Sequence, residues 1–183
     1  MIRAYLSLGS NLGDRHRNLL EAVRRLAAPE LVIRRLSSVY ETEPQDLPDQ
    51  PWFLNMVVEI DTALDSYGLL ERVLAVEAAL DRRRLTPKGP RTLDVDILLY
   101  GETLLDSPAL NLPHPRMAAR RFVLEPLAEL APELRHPVMG KTVCELLELV
   151  DGQQVRKLRP LGIDLGALSA APPAKSPRQN NQT

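Results

Sequence analysis

The sequence is poor in several features that mark special classes of protein. Its 183 residues include one cysteine, Cys144, which lies in an apolar helical pattern and is expected to be a core residue. One thiol cannot supply a disulfide or a cysteine-ligated metal site, which is typical of proteins from reducing compartments. No run of about 18 uninterrupted apolar residues is present, and the start of the sequence does not resemble a secretory leader. We therefore expect a cytoplasmic protein.

Charge is nearly balanced, with 23 Lys plus Arg against 24 Asp plus Glu. Such a balance gives no reason to expect nucleic acid or a membrane surface as a partner. The basic residues are nevertheless unusual, because 19 of the 23 are arginine and two stretches, 82–91 and 114–121, contain no acidic residue. The arginine guanidinium matches phosphate oxygens in pairs, so these stretches could bind a small polyphosphate. The alternative is that they are solvated loops.

Hydrophobic periodicity predicts one α+β domain over residues 1–163. Helical spacing of apolar residues occurs in two segments, from Leu19 to Leu26 and from Ser66 to Leu80. Strand composition is found at 2–9, 31–42, 53–60 and 92–100. The resulting order, βαββαβ, predicts a ferredoxin-like antiparallel sheet with helices packed on it. Further helical patterns at 122–130 and 143–150 predict extra C-terminal helices. Residues 164–183 have few apolar groups, so we expect a disordered tail.

Two carboxylates occupy alternate positions of the last of these strands. In Gly-Pro-Arg-Thr-Leu-Asp-Val-Asp-Ile-Leu-Leu, residues 89–99, Asp94 and Asp96 face one side while Leu93, Val95 and Ile97 face the other. Each carboxylate raises the cost of ionising its neighbour, so the pair calls for a divalent cation or an arginine. Mg²⁺ is a candidate because it binds carboxylate oxygens and keeps positions open for phosphate. The alternative is a solvated strand face that carries two acids.

Several motifs, in order and spacing, resemble the 6-hydroxymethyl-7,8-dihydropterin pyrophosphokinase family of the folate pathway. They are Gly-Ser-Asn-Leu-Gly at 9–13, Tyr-Glu-Thr-Glu-Pro at 40–44, Phe-Leu-Asn at 53–55, Gly-Pro-Arg-Thr-Leu-Asp-Val-Asp-Ile at 89–97, Pro-His-Pro-Arg-Met at 113–117 and Arg-Arg-Phe-Val-Leu-Glu-Pro-Leu at 120–127. The segment at 89–97 is highly specific, and the likeness spans roughly residues 1–150. The resemblance implies transfer of a pyrophosphoryl group from ATP to the hydroxymethyl oxygen of a reduced pterin, with release of AMP.

The resemblance also implies roles for the charged residues. Asp94 and Asp96 would hold two Mg²⁺ ions that bridge the phosphates of ATP, the co-substrate. Arg82 and Arg91 would act at the reacting phosphates. The remaining positions that match the family's ATP site are Glu77, Arg84, Ile97, Asn111, His114 and Arg120. Outside the family context, His114 could be a turn residue between two prolines and Glu77 a solvated helix acid.

The pterin positions implied by the resemblance include both phenylalanines of the chain, Phe53 and Phe122. The family stacks the flat pterin between two aromatic rings, where large faces make dispersion and offset π contacts. Asn55 lies on the same strand face as Phe53, and its amide offers a donor and an acceptor to the pterin edge. Thr42 would complete the recognition of that edge, although a structural role in a turn is equally compatible with the sequence.

The sequence departs from the family pattern near the arginine-rich stretch. Lys88 stands where many relatives have tryptophan, Asp81 where a glycine is common, and Leu74 where a polar residue often meets the nucleotide. Two alternative functions are a nucleotidyltransferase that uses two metal ions and a non-catalytic ligand-binding domain of ferredoxin-like fold.

The oligomeric state is open between monomer and homodimer, because a sheet edge could pair with a second copy.

Overall fold

A computed structural model describes residues 1–45, 49–80 and 89–169. The strands are β1 (Ile2–Ser10), β2 (Leu31–Leu36), β3 (Ser38–Thr42), β4 (Phe53–Thr62), β5 (Asp94–Tyr100), β6 (Leu105–Asp106), β7 (Asn111–Leu112) and β8 (Val155–Pro160). The helices are α1 (Arg15–Leu26), α2 (Ser66–Ala79), α3 (Arg121–Leu130), α4 (Val143–Glu148) and α5 (Leu165–Ser169), with a 3₁₀ turn at Met117–Ala119. The predicted α+β class, an antiparallel sheet covered by helices, is confirmed.

The main sheet has the strand order β5-β1-β4-β3-β8, and β2 pairs with the far end of β4. All of its ladders are antiparallel. The sequence predicted one strand over 31–42, but the structure divides it at Ser37. The Ser37 hydroxyl accepts a hydrogen bond from the backbone N–H of Val57 at 2.9 Å, so a side chain replaces one backbone partner in the ladder. β2 and β3 therefore pair with different parts of β4.

Helices cover both faces of this sheet. On one face, Leu6 and Leu8 of β1 belong to an apolar cluster with Leu19 of α1 and Val73 of α2. On the other, Tyr5 contributes to a second cluster. That second cluster also contains Val57, Val123, Leu127 and Leu146, which bring α3 and α4 onto the sheet. Alternation along the strands thus places Ser7, Gly9, Asp94 and Asp96 on the α3 side.

The ends of the helices are capped in different ways. Asp14 and Asp65 cap α1 and α2 by accepting backbone N–H groups, at 3.0 and 2.7 Å. Thr142 and Glu145 form a capping box at the start of α4. Helix α3 differs, because its N-cap residue, Arg120, provides no side-chain hydrogen bond to the helix.

Polar contacts hold α3 against the sheet. The Glu129 carboxylate accepts hydrogen bonds from the Tyr40 hydroxyl at 2.8 Å and from Ser38 N–H and O–H at 3.1 and 2.9 Å. Burial and this hydrogen bond raise the pKa of Tyr40. Burial by itself would raise the pKa of Glu129, but the hydrogen bonds outweigh it and lower that pKa. At the same, C-terminal end of α3, Arg35 donates to the Leu130 carbonyl at 2.6 Å and pairs with buried Glu59.

The C-terminal part of the described chain adds a strand that the sequence did not predict. β8 pairs with β3, with Val155 opposite Thr42 and Lys157 opposite Tyr40. Its residues include three basic side chains and alternate weakly in hydrophobicity, because an edge strand on this surface buries little. Leu165–Ser169 form a short helix that packs near β2. Residues 170–183 of the predicted tail lie outside the described residues, and their disorder stays a prediction.

Candidate active site

A concave pocket opens on the α3 side of the sheet, at the ends of β1, β4 and β5. Its space, including the open mouth, measures about 630 Å³. Gly9 is opposite Asn55 on one side and Asp94 on the other, so these three positions lie side by side across the sheet. The lining residues are Ser7, Gly9, Thr42, Glu43, Gln45, Gln50, Phe53, Asn55, Arg91, Asp94, Asp96, Arg120 and Phe122.

The two carboxylates of β5 lie in this pocket beside cationic groups. Asp94 Oδ2 is 2.8 Å from Arg91 Nη2, and Asp96 Oδ2 is 3.4 Å from Arg120 Nη1. His114 Nε2 is 3.8 Å from the same Asp96 oxygen. The carboxylate side chains are 17% and 32% exposed, so both can be reached from the pocket. Arginines therefore offset the charge that the strand pattern concentrates at this point.

The same two arginines also contact the two phenylalanine rings. The guanidinium carbon of Arg91 lies 5.3 Å from the ring centre of Phe53, and that of Arg120 lies 5.3 Å from the ring centre of Phe122. Both distances are within the range of cation–π attraction. Each arginine thus links a carboxylate to an aromatic ring, and the acidic and aromatic halves of the pocket are continuous.

His114 has a defined hydrogen-bonding state. Its Nδ1 accepts the backbone N–H of Arg116 at 3.2 Å, which leaves Nε2 as the protonated nitrogen of a neutral ring, on the side of Asp96. Burial lowers the pKa of His114, and the positive charges of Arg120 and Arg116 act in the same direction, against the raising effect of Asp96. The ring can therefore donate one hydrogen bond towards the pocket while neutral.

Asn55 and Thr42 form a polar pair on the pocket floor. The Asn55 amide donates to the Thr42 hydroxyl at 2.7 Å, and both side chains are buried. Gly9 makes room for this arrangement, because a Cβ at that position would lie 2.5 Å from Asn55 Oδ1. The glycine is required here by the close approach of the amide and not by its own backbone angles.

We expect Gly9→Ala to lower the free energy of unfolding by about 1–3 kcal/mol, because the added methyl group displaces the Asn55 amide. Chemical denaturation of the variant measures this loss. The matched comparison is Gly9→Ala in an Asn55→Ala background, where the clashing atom is gone and the cost should be smaller. An equal cost in both backgrounds would show that Asn55 is not the cause.

The structure does not bring every predicted ATP residue to the pocket wall. Glu77 is buried, with its carboxylate accepting the Val95 backbone N–H at 2.8 Å, so it supports the strand between the two aspartates instead of being a solvated helix acid. Ile97 packs in the cluster shared with α1 and α2. Asn111 is on β7, and its Oδ1 accepts the Ser107 N–H at 3.2 Å. Arg82 and Arg84, with Asp81 and Lys88, lie outside the described residues.

Sequence reasoning missed the role of Asn11 in shaping the pocket rim. Its amide donates to Gln50 Oε1 at 3.2 Å and to the Pro51 carbonyl at 3.1 Å, while its Oδ1 accepts the Arg91 N–H at 2.8 Å. One buried side chain thus ties the segment before β4 to the segment before β5. The only signal in the sequence was the position of Asn11 inside the Gly-Ser-Asn-Leu-Gly motif.

The fold and the chemistry of this site together indicate a class of enzyme. A carboxylate pair, flanking arginines and an aromatic-walled cavity are the parts expected of an enzyme that transfers phosphate groups by positioning and charge stabilisation. Comparison with known proteins identifies the family. Residues 5–132 match the family described as 7,8-dihydro-6-hydroxymethylpterin-pyrophosphokinase (HPPK), and the chain belongs to it.

Similarity to individual proteins supports the same family. The chain is 45% identical, over 159 residues, to the 2-amino-4-hydroxy-6-hydroxymethyldihydropteridine pyrophosphokinase of Methylorubrum extorquens, covering 86% of this chain and 99% of the relative. It is 36% identical over 156 residues to the folic acid synthesis protein fol1 of Pneumocystis carinii, and the match spans only 21% of that protein. A crystal structure of Plasmodium falciparum HPPK-DHPS wild type shares the fold, with a TM-score of 0.62 and 17% identity over 81% of this chain and 43% of that one.

Proposed function

We propose that the chain transfers the pyrophosphoryl group of ATP to the hydroxymethyl oxygen of 6-hydroxymethyl-7,8-dihydropterin, a step of folate biosynthesis. The pterin hydroxyl oxygen attacks the β-phosphorus and loses its proton to solvent, the bond from that phosphorus to the oxygen shared with the α-phosphorus breaks, and AMP leaves with that oxygen. The observation that carries the proposal is that Asp94 and Asp96 line the same pocket as Phe53, Phe122 and Asn55. A polyphosphate with its cations and a flat acceptor fit side by side in such a cavity, as in-line transfer requires.

Asp94 and Asp96 would hold Mg²⁺, and we propose two ions. Among residues 1–45, 49–80 and 89–169, no group of three or more His, Cys, Asp and Glu side chains surrounds a common point. Two carboxylates fit Mg²⁺ nonetheless, because this ion commonly takes one or two carboxylates and completes its shell with water and substrate phosphates. When bound, the ions would offset the negative charge of the phosphate oxygens and would favour deprotonation of the attacking hydroxyl. Arg91 and Arg120, which lie beside the carboxylates, would bind the phosphates.

The acceptor half of the pocket combines two aromatic rings with polar groups, a combination that supports binding of a pterin. Phe53 and Phe122 would stack on the faces of the bicyclic ring. Asn55 and Thr42, joined by their hydrogen bond, would recognise its polar edge, since together they present donors and acceptors in a fixed orientation. Burial of this pair favours such recognition, because a ligand that left these groups without partners would bind poorly.

We further propose that Arg82, Arg84, Glu77, Ile97, Asn111, His114 and Arg120 serve ATP. The position of His114 near Asp96 supports a hydrogen bond from its Nε2 to a phosphate oxygen. Glu77 supports the site indirectly, because its carboxylate holds the backbone between Asp94 and Asp96. Arg82, like Arg91, would stabilise charge at the transferred group.

The wider assignments follow from the same proposal. Along the chain, β1, α1, β2, β3, β4, α2 and β5 follow one another, and in the sheet β5, β1 and β4 are neighbours. With β2 and β3 counted as one strand, this arrangement supports a ferredoxin-like core.

We propose that residues 1–163 are one catalytic domain, which acts in the cytoplasm as a monomer or homodimer. Its proposed partners are ATP and the pterin, and not nucleic acid or a membrane. None of the helices in the described ranges has the length and apolar run needed to cross a bilayer.

The decisive experiment is an assay with ATP, Mg²⁺ and 6-hydroxymethyl-7,8-dihydropterin that resolves AMP from pyrophosphate. We expect AMP and pterin diphosphate to form in equal amounts, and only when the pterin is present. Release of pyrophosphate would instead indicate a nucleotidyltransferase. ATP binding that is independent of Mg²⁺ in calorimetry, with no product, would indicate a non-catalytic binding domain.

A further inference from the structure

Gln153 lies behind the aromatic wall of the pocket, in the segment between α4 and β8. The segment is C-terminal to the residues that match the family, 5–132. Gln153 is 8% exposed, which is unusual for a glutamine and calls for hydrogen-bonded partners of its side chain. Both partners belong to elements that line the pocket.

The first partner is the start of α3. Gln153 Oε1 accepts the backbone N–H of Phe122 at 3.0 Å. The first turn of a helix has N–H groups without partners inside the helix, and Arg120 at the N-cap gives them no side-chain acceptor. Gln153 therefore caps α3 from a distant part of the chain, and it does so at the residue whose ring lines the pocket.

The second partner is the loop that follows β3. Gln153 Nε2 lies 3.4 Å from the carbonyl oxygen of Glu43 and donates to it. Backbone contacts reinforce this link, since Glu43 N–H donates to the Gln154 carbonyl at 3.2 Å and Gln154 N–H donates to Glu43 Oε1 at 2.9 Å. Glu43 itself lines the pocket and directly follows Thr42.

We propose that Gln153 is a positioning residue that sets the distance between Phe122 and the loop after Thr42, and thereby the fit of the pterin. The inference rests on the proposed function. An amide is suited to this position because it offers an acceptor to the helix and a donor to the loop. A carboxylate retains only the acceptor, and an aliphatic side chain retains neither.

The test compares Gln153→Leu and Gln153→Glu with the matched control Gln154→Leu, whose side chain is exposed. We expect Gln153→Leu to raise the KM for the pterin and its dissociation constant about tenfold, as for loss of a buried hydrogen-bonded link. The KM for ATP should stay within about twofold, because the two groups that Gln153 contacts by hydrogen bonds, the Phe122 N–H and the Glu43 carbonyl, lie on the acceptor side of the pocket. Gln153→Glu, which keeps the cap on α3, should fall between Gln153→Leu and the wild type, and Gln154→Leu should match the wild type.

The results of this test separate the inference from a general loss of structure and from a failure of the proposed function. Unchanged pterin KM and dissociation constant in both Gln153 variants would overturn the inference. So would equal rises in the KM values for pterin and ATP, since that result indicates a general loss of structure. If Gln153→Leu does not fold, Gln153→Glu decides by the same split between the two KM values. A wild-type chain without pterin-dependent AMP formation would overturn the proposed function instead, whatever the Gln153 variants do.

Discussion

Replacing either Asp94 or Asp96 with asparagine is expected to lower turnover by about 10³-fold or more. Asparagine keeps the size of the side chain but removes the charge that we propose to hold Mg²⁺ against the phosphates. Metal stabilisation of transition-state charge contributes several kcal/mol, and each 1.36 kcal/mol corresponds to about tenfold in rate. Steady-state formation of AMP measures the loss.

The fold should survive these substitutions, because both carboxylates are accessible from the pocket instead of being enclosed in the core. Circular dichroism and thermal unfolding check this point. Asp106→Asn, at an exposed position on β6, is the matched control and should retain full activity. Turnover close to that of the control in either Asp94→Asn or Asp96→Asn would refute the metal assignment.

Asn55→Ala is expected to raise the KM for the pterin by about 10²-fold. The substitution removes the amide that we propose to recognise the pterin edge, and it also leaves the buried Thr42 hydroxyl without its partner at 2.7 Å. Two or three lost hydrogen bonds, at about 1 kcal/mol each, account for a change of this size. Fluorescence titration with the pterin and steady-state kinetics measure the effect separately.

The same variant also provides the control, which is its affinity for ATP. Affinity for a non-hydrolysable ATP analogue with Mg²⁺ should remain close to that of the wild type, because Asn55 faces the acceptor half of the pocket. A loss of ATP affinity as large as the loss of pterin affinity would contradict the assignment of Asn55 to the pterin.

Much of the fold could be predicted from local patterns. Helical spacing of buried apolar residues marks α1 and α2, and runs of buried residues mark β1, β4 and β5, because helices cover both faces of the sheet. The division at Ser37 could not be predicted, because it depends on a hydrogen bond to Val57, which is 20 residues away. β8 was missed for a related reason, since an edge strand that buries little has no clear hydrophobic period.

In the site, too, local sequence patterns predict some of the residues, whereas contacts between distant segments could not be predicted. The strand period places Asp94 and Asp96 on one face, and the motifs single out Phe53, Asn55 and Phe122, all of which the structure brings into one pocket. No local pattern predicts that Arg91 and Arg120 link those carboxylates to the rings. Asn11 and Gln153 contact segments far away in sequence, so apart from the motif that contains Asn11 the local sequence does not indicate these contacts.

Helix α3 is fastened at its start by Gln153, near its end by the hydrogen bonds to Glu129, and at its last carbonyl by Arg35. Phe122 therefore belongs to a stiff part of the molecule. A binding pocket whose wall is already rigid loses little conformational entropy when a ligand binds. In the stacking mode that we propose for Phe53 and Phe122, selectivity among flat heterocycles would then depend on the thickness and outline of the ring, and a puckered or bulky acceptor would be excluded by shape.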